Sequence, residues 1–285
     1  MMRRFGCLFL LLLLVAMPIL SVADAQYQTY PFQGNDEIIS YSDGNVYVQV
    51  QVKYPVSKAF LYVSDEGLEE VPLAGDLAAE EDSLFVLHDK FYVWTSGNTK
   101  LTALDDSESI SIVPDDFFKK HKTAVPFLLN TCDGNAVTFL MAQGDSLWIL
   151  CNYDLNSGEF KNFEFPGNLF AFQPCEDEKC FVAATQDTGE KELSMLDWNT
   201  GELSNIGTLP VGTQSIAYDR IDGTIYYMLE GNLYTFTQAE GSQLLTGGFP
   251  LTDQRAFISE SRELITLSSD VEKAVLVIDL KQFEK

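Results

Sequence analysis

The sequence predicts an all-β fold: six four-stranded antiparallel meanders closed into a ring. Three observations carry this. Short alternating or apolar runs are separated throughout by turn dipeptides. The turns recur at a near-constant spacing. An unmatched strand at the N-terminus complements a last unit that is one strand short.

The clearest unit lies between Thr213 and Pro250. Its strands are Ser215–Tyr218, Thr224–Leu229, Leu233–Phe236 and Gln243–Thr246. Asp222-Gly223 and Gly231-Asn232 join them, because Gly and Asn tolerate the positive φ that tight hairpins demand. The first turn of each unit falls at Asp43-Gly44-Asn45, Glu81-Asp82-Ser83, Asp133-Gly134-Asn135, Asp177-Glu178-Lys179, Asp222-Gly223-Thr224 and Ser261-Arg262-Glu263. The intervals between central residues are 38, 52, 44, 45 and 39. A second marker has the same period. Asp154-Leu-Asn-Ser-Gly-Glu159 recurs as Asp197-Trp-Asn-Thr-Gly-Glu202, offset by 43, with a weaker echo at Thr237–Gly241. A fixed period of this length is the mark of a repeat architecture.

Taken in order, unit one covers Glu37–Leu73, with strong alternation over Asn45–Val52. Unit two covers Leu77–Leu104 and holds the hairpin Leu84–Leu87/Phe91–Trp94. Unit three, Pro126–Phe165, pairs Ala136–Met141 with Ser146–Asn152; unit four runs over Asn168–Leu209. Unit five is the stretch described above. Unit six, Arg255–Leu280, shows three strands, and Tyr27–Phe32 is expected to complete it, which hides an edge that would otherwise invite association. Seven units is the alternative count. The one long interval contains Pro114-Asp-Asp-Phe-Phe-Lys-Lys-His-Lys122, read as a short helix within an insertion at about 107–125. Such an insertion is a candidate contact loop.

Residues 1–25 read as a signal peptide: Arg3 and Arg4, the apolar run Leu8–Val15, and Ala23-Asp24-Ala25 at the cleavage site. Residues 26–285 are then the mature domain, with no membrane span, secreted and extracellular, free or associated with the cell surface. Its net charge is −25, since the leader removes two Arg and one Asp from a chain of net −24. That surface disfavours nucleic acid. Four cysteines remain, which allow three disulfide pairings. Cys175 and Cys180 flank a polar turn, so the favoured pairing is Cys175–Cys180 with Cys132–Cys151.

The Asp-x-Asn-Ser/Thr-Gly-Glu turns at 154–159 and 197–202, the hairpin Tyr226–Phe236 and the segment Ser83–Trp94 resemble those of exported bacterial β-propellers with blades of about 40 residues. The resemblance covers residues 27–285 and implies a six-bladed propeller. It departs from the WD type, because Asp197-Trp198 stands in reverse order and no Gly-His partner accompanies it. A leader followed by such a propeller also resembles the N-terminal part of Gram-positive exported proteins that precede a solute-binding domain. These motifs specify blade geometry and transfer no active site.

Catalytic signatures are sparse. G-x-S-x-G is absent, Gly247-Gly248 has no following helix, and His88 and His121 both read as isolated surface residues. The sequence is therefore read as a non-catalytic module, without a required cofactor, that recognises a protein, peptide or glycan. Phe117, Phe118, His121, Trp148 and Trp198 are its candidate binding residues. Calcium is the candidate metal, with oxygen ligands from Asp154, Asn156, Asp219 and Asp222 in turns. Two alternatives are an extracellular lyase or hydrolase using carboxylates in the central channel, and a sensory or docking domain of a solute-binding system.

Overall fold

The computed structural model describes residues 27–32, 36–53, 56–64, 66–73, 83–94, 100–105, 107–144, 147–166, 168–269 and 273–284. The leader segment lies outside the described residues. After β1 (Tyr27–Pro31) come β2 (Asp36–Ser42), β3 (Asn45–Lys53), β4 (Val56–Val63) and β5 (Gly67–Val71), a consecutive meander. Next are β6 (Ser83–Leu87), β7 (Lys90–Trp94), β8 (Lys100–Ala103) and β9 (Ser109–Ser111), then a helical turn, α1 (Phe117–Lys120). They are followed by β10 (Ala124–Asp133), β11 (Ala136–Gln143), β12 (Leu147–Asp154) and β13 (Phe160–Pro166). The chain continues through β14 (Asn168–Cys175), β15 (Lys179–Thr185), β16 (Lys191–Asp197) and β17 (Leu203–Leu209). Then come β18 (Thr213–Tyr218), β19 (Ile225–Leu229), β20 (Asn232–Thr237) and β21 (Gly241–Gly247). Last are β22 (Thr252–Ile258), β23 (Glu263–Ser268) and β24 (Ala274–Asp279), ending in a 3-10 turn at Leu280–Phe283.

The strands form small antiparallel sheets in a propeller-like arrangement. β6–β9 and β14–β17 are separate four-stranded sheets. Two further sheets of eight strands each join two meanders through their first strands. β10 lies parallel to β2 at Thr131↔Tyr41 and Cys132↔Ser42, and β18 lies parallel to β22 at Ile216↔Arg255. First strands thus face the middle of the arrangement. β1 pairs antiparallel with β24 from Tyr27↔Ile278 to Pro31↔Ala274, so the N-terminal strand covers the outer edge of the last meander.

The turns explain the registers. Ser42↔Asn45, Leu87↔Lys90 and Leu229↔Asn232 close two-residue loops whose central pairs, Asp43-Gly44, His88-Asp89 and Glu230-Gly231, all have positive φ. That geometry matches the twist of the flanking strands. In the repeated acidic turns, Asp154 Oδ1 accepts from Asn156 N and Ser157 N, and Asp197 Oδ1 accepts from Asn199 N and Thr200 N. Gly158 and Gly201 then supply the left-handed residue, both at φ 72°. Those backbone bonds hold both carboxyls below the usual carboxylate range.

Packing joins meander to meander. Phe85 and Trp94 meet Phe139 of β11, with ring centroids 6.3 and 5.4 Å away. Each such pair adds about 0.5–1.5 kcal/mol beyond area burial. Equivalent faces bring Tyr47 to Phe91, Leu150 to Val182, Phe181 to Ile216, Met228 to Leu276, and Val48 to Val277. Among the described residues no helix is long and apolar enough to cross a membrane.

Candidate functional site

A narrow central cleft of about 20 Å³ opens where β14, β18 and β22 converge, with β15 behind them. Alternation along a strand puts every second side chain on one face. β18 thereby presents Ile216 and Tyr218 to the cleft, while β22 lines it with the consecutive Arg255, Ala256 and Phe257. In β14, which has a bulge between Leu169 and Ala171, the consecutive Phe170, Ala171, Phe172 and Gln173 line the wall. Among the described residues, five aromatic rings line the space and Arg255 is the one charged lining residue.

The polar groups of the wall are oriented. Gln173 Oε1 accepts from Tyr218 N at 3.3 Å, and Cys175 Sγ donates to the Gln173 carbonyl at 3.5 Å. The Tyr218 ring stacks on Phe181 at 5.0 Å. Burial, with smaller contributions from Cys175 and Asp222, pushes the Tyr218 phenol above its ordinary value, so it remains a proton donor at neutral pH. Phe257 stacks on Tyr41 at 5.8 Å, and Arg220 lies 5.2 Å over the other ring of that pair, donating to the Tyr41 hydroxyl. The cleft therefore combines an apolar lining with a few convergent polar groups, in a space with room for about one water.

The residues singled out from sequence lie elsewhere, in two groups. Phe117 and His121 are buried with the β6–β12 core, their rings 4.6 Å apart, and Phe118 is half-buried beside them. His121 is thus not the surface residue expected: Nδ1 meets Gln143 Oε1 at 3.0 Å, and Nε2 lies 3.7 Å from Glu164. One turn of helix folds the ring back onto Phe117, which periodicity over so short a segment does not reveal. His88 is exposed as expected and faces Asp43 at 2.9 Å. Trp148 and Trp198 pack into the core between β11–β13 and β14–β16. Trp198 also borders a second cleft, of about 160 Å³, with Asp154, Lys161 and Glu178.

The calcium candidates do not gather at one point. Asp154 Oδ1 is taken up by backbone donors of its own turn, and Asn156 is exposed. Asp219 is buried: Oδ1 accepts from Ile221 N and Oδ2 from Arg262, while Asp222 lies 3.8 Å from the same guanidinium. Among the described residues no three His, Cys, Asp or Glu side chains are grouped to hold a metal.

The disulfide expectation is corrected. Among the described residues no disulfide forms, and Cys151, Cys175 and Cys180 are thiols. Cys180 is opposite Pro174 and Cys175 is opposite Lys179, so the two cysteines point to opposite faces of one sheet. Cys180 joins the core toward β11–β13, while Cys175 packs toward β18–β20. Cys132 pairs in register with Val137, and Val137 with Tyr153, which places β10 two strands from Cys151. Two strand spacings are about 9.5 Å, beyond the ~7 Å Cα separation a disulfide allows. The Cys132 side chain lies outside the described residues.

No protein-family model and no curated protein sequence matches the chain. Solved structures do resemble it. A luciferin-regenerating enzyme superposes with a TM-score of 0.57 at 11% identity, over 89% of this chain and 95% of its own. A gluconolactonase from Xanthomonas campestris gives 0.60 at 10% identity, over 90% of each chain. A puromycin hydrolase gives 0.54 at 15% identity, over 92% of this chain and 46% of its own. At this identity the likeness shows the fold, a β-propeller. It also corrects the reading of the chain as a non-catalytic module. The sparse motifs behind that reading do not separate binding from catalytic propellers, and these structurally similar propeller proteins are named as enzymes.

Proposed function

We propose that this protein is a propeller hydrolase acting on a small substrate with an aromatic or apolar body and an ester, lactone or amide carbonyl. The observation that carries the reading is the central cleft, in which, among the described residues, Arg255 is the one charged lining residue beside five aromatic rings. A guanidinium in such a setting binds a carbonyl oxygen and stabilises the negative charge that develops there during attack by water. Tyr218, on the same wall, gives a proton to the leaving group, and its phenolate recovers one from the attacking water.

The same reading takes the arrangement as six blades. Its support is that each apolar cluster is shared by two successive meanders, and that one joins β2–β4 to β22–β24 and so closes the circle. Export of the mature chain from residue 26 belongs to this proposal.

The test is hydrolysis of a panel of aryl esters, aryl amides and lactones by the purified protein, Arg255→Leu and Tyr218→Phe. Removal of an oxyanion donor costs about 10²–10³-fold in turnover. Arg255→Leu is expected to lose that much with unchanged circular dichroism, and Tyr218→Phe about 10²-fold. Absence of hydrolysis across the panel, or full activity in both variants, would refute the reading.

A further inference from the structure

A third cleft, of about 310 Å³, lies where the last meander meets the first. Its walls are the β2–β3 turn with the start of β3, the end of β4, and the β22–β23 turn. It has room for roughly ten waters, and so for a small organic molecule. Six of its lining residues carry polar side chains: Asn45, Tyr62, Ser64, Ser259, Glu260 and Ser261.

The cleft is built around one carboxylate. Glu263 Oε1 accepts from Tyr62 Oη and from Ser64 Oγ, both at 3.1 Å, and Oε2 accepts from Ser259 Oγ at 3.3 Å. Tyr62 and Ser64 follow from the first meander, Ser259 and Glu263 from the last, so the network spans the junction. Burial, and then the adjacent Glu263, push the Tyr62 phenol well above its ordinary value, so it keeps its proton. A hydroxyl has one proton to give. Tyr62, Ser64 and Ser259 give theirs to Glu263, which leaves their oxygens only lone pairs for a ligand. Asn45 Nδ2 likewise donates to Asp89 at 3.1 Å, and its carbonyl oxygen remains an acceptor. Glu260 adds an exposed carboxylate that reaches across the junction to Gly44, where an added Cβ would meet Oε1 at 2.8 Å.

The cleft is thus rich in acceptors and poor in donors. Among the described residues no lysine or arginine lines it. Arg262, the nearest cation along the chain, is turned to Asp219, Asp222 and Glu284. The second cleft differs, since Lys161 and Lys179 line it. A ligand that complements the third cleft brings positive charge and several N–H donors. An alkylammonium has three donors and no acceptor.

We propose that this cleft is a binding site for a primary alkylammonium group, carried by a free amine or by a lysine side chain. Glu260 faces the charge, and the oxygens of Tyr62, Ser64 and Asn45 accept the N–H bonds. The site is separate from the central cleft and does not depend on the hydrolase reading.

The experiment is isothermal titration calorimetry of the purified protein at physiological ionic strength, which screens diffuse attraction to the acidic surface. The probes are 1,5-diaminopentane, N-acetyl-lysine methylamide, 1,5-pentanediol and tetramethylammonium. The first two carry the ammonium as a free amine and as a lysine side chain. The diol keeps the chain length without the charge, and tetramethylammonium keeps the charge without N–H donors. One saturable site is expected for at least one of the two amines, and the tighter of them identifies the source. Glu260→Gln is expected to weaken that binding about tenfold or more, the worth of one charge-assisted hydrogen bond. Glu202→Gln removes the same charge from an exposed carboxylate in another turn and is expected to leave the affinity unchanged. Absence of saturable binding by both amines overturns the proposal. So does binding of the diol or of tetramethylammonium as tight as that of the amines, or a Glu260→Gln affinity equal to that of Glu202→Gln.

Discussion

Arg262 closes on Asp219, a carboxylate with 2% side-chain exposure, and joins the end of β18 to the first turn of the last meander. The same guanidinium donates through Nε to Glu284 at 3.0 Å, so it also ties down the C-terminal turn. One cation thus holds three parts of the chain together.

Removing that cation leaves Asp219 buried with backbone donors alone, and breaking a buried pair from one side costs about 3–5 kcal/mol. Arg262→Met is expected to lose stability in this range, measured by urea unfolding. Asp219→Asn keeps the acceptor for Ile221 N and is expected to cost less. In the double variant the costs should fall short of their sum, because both changes remove one interaction. Strict additivity would show that the pair contributes nothing as a pair.

The repeat was legible because its signals are local. Asp43-Gly44 and Gly231 declare their hairpins through positive φ, although the second hairpin centres on Glu230-Gly231 rather than Gly231-Asn232, and Asp154 and Asp197 declare their turns through hydrogen bonds spanning three residues. The need of the last meander for Tyr27–Pro31 was also readable, since its strands could be counted. The cleft was not. Phe170, Tyr218 and Arg255 come from three meanders and share no motif, and only the parallel approach of β18 to β22 brings them near each other. The cysteine pairing failed on a related point. Spacing shows that Cys175 and Cys180 flank a turn, but the one-residue offset that sends them to opposite faces belongs to the register.

The three described thiols are expected to react very differently with an aromatic disulfide reagent. Cys151 and Cys180 are fully buried, and burial pushes both thiols well above their usual range. Cys175 is only half-buried and borders the second cleft. In the native protein Cys175 should react first, and Cys151 and Cys180 only on unfolding. Cys175→Ser is expected to change stability by less than about 1 kcal/mol, far below the 2–5 kcal/mol typical of losing a native disulfide. A Cys175–Cys180 cross-linked peptide in a non-reducing digest would contradict this.

Lys191 gives the fold a pH dependence of defined sign. Its folded-state pKa is depressed, and burial is the cause. Between that depressed value and the ordinary 10.5, the unfolded chain holds a proton that the folded chain has released. Stability then rises with pH through this window, because it rises wherever the unfolded state binds more protons. Below the window the folded state bears the full cost of a buried ammonium. Lys191→Met keeps the apolar stem against Phe170 and removes the charge; the half-buried Thr185 hydroxyl can turn to water. The variant is expected to be more stable than the parent at pH 7, by about 1 kcal/mol, the usual size of a single-residue effect. That gain should narrow as the pH approaches 10. Urea midpoints of both proteins at pH 7 and pH 10 decide the matter. A difference equal at both pH values would mean that Lys191 titrates alike in the folded and unfolded chains, and that its burial carries no electrostatic cost.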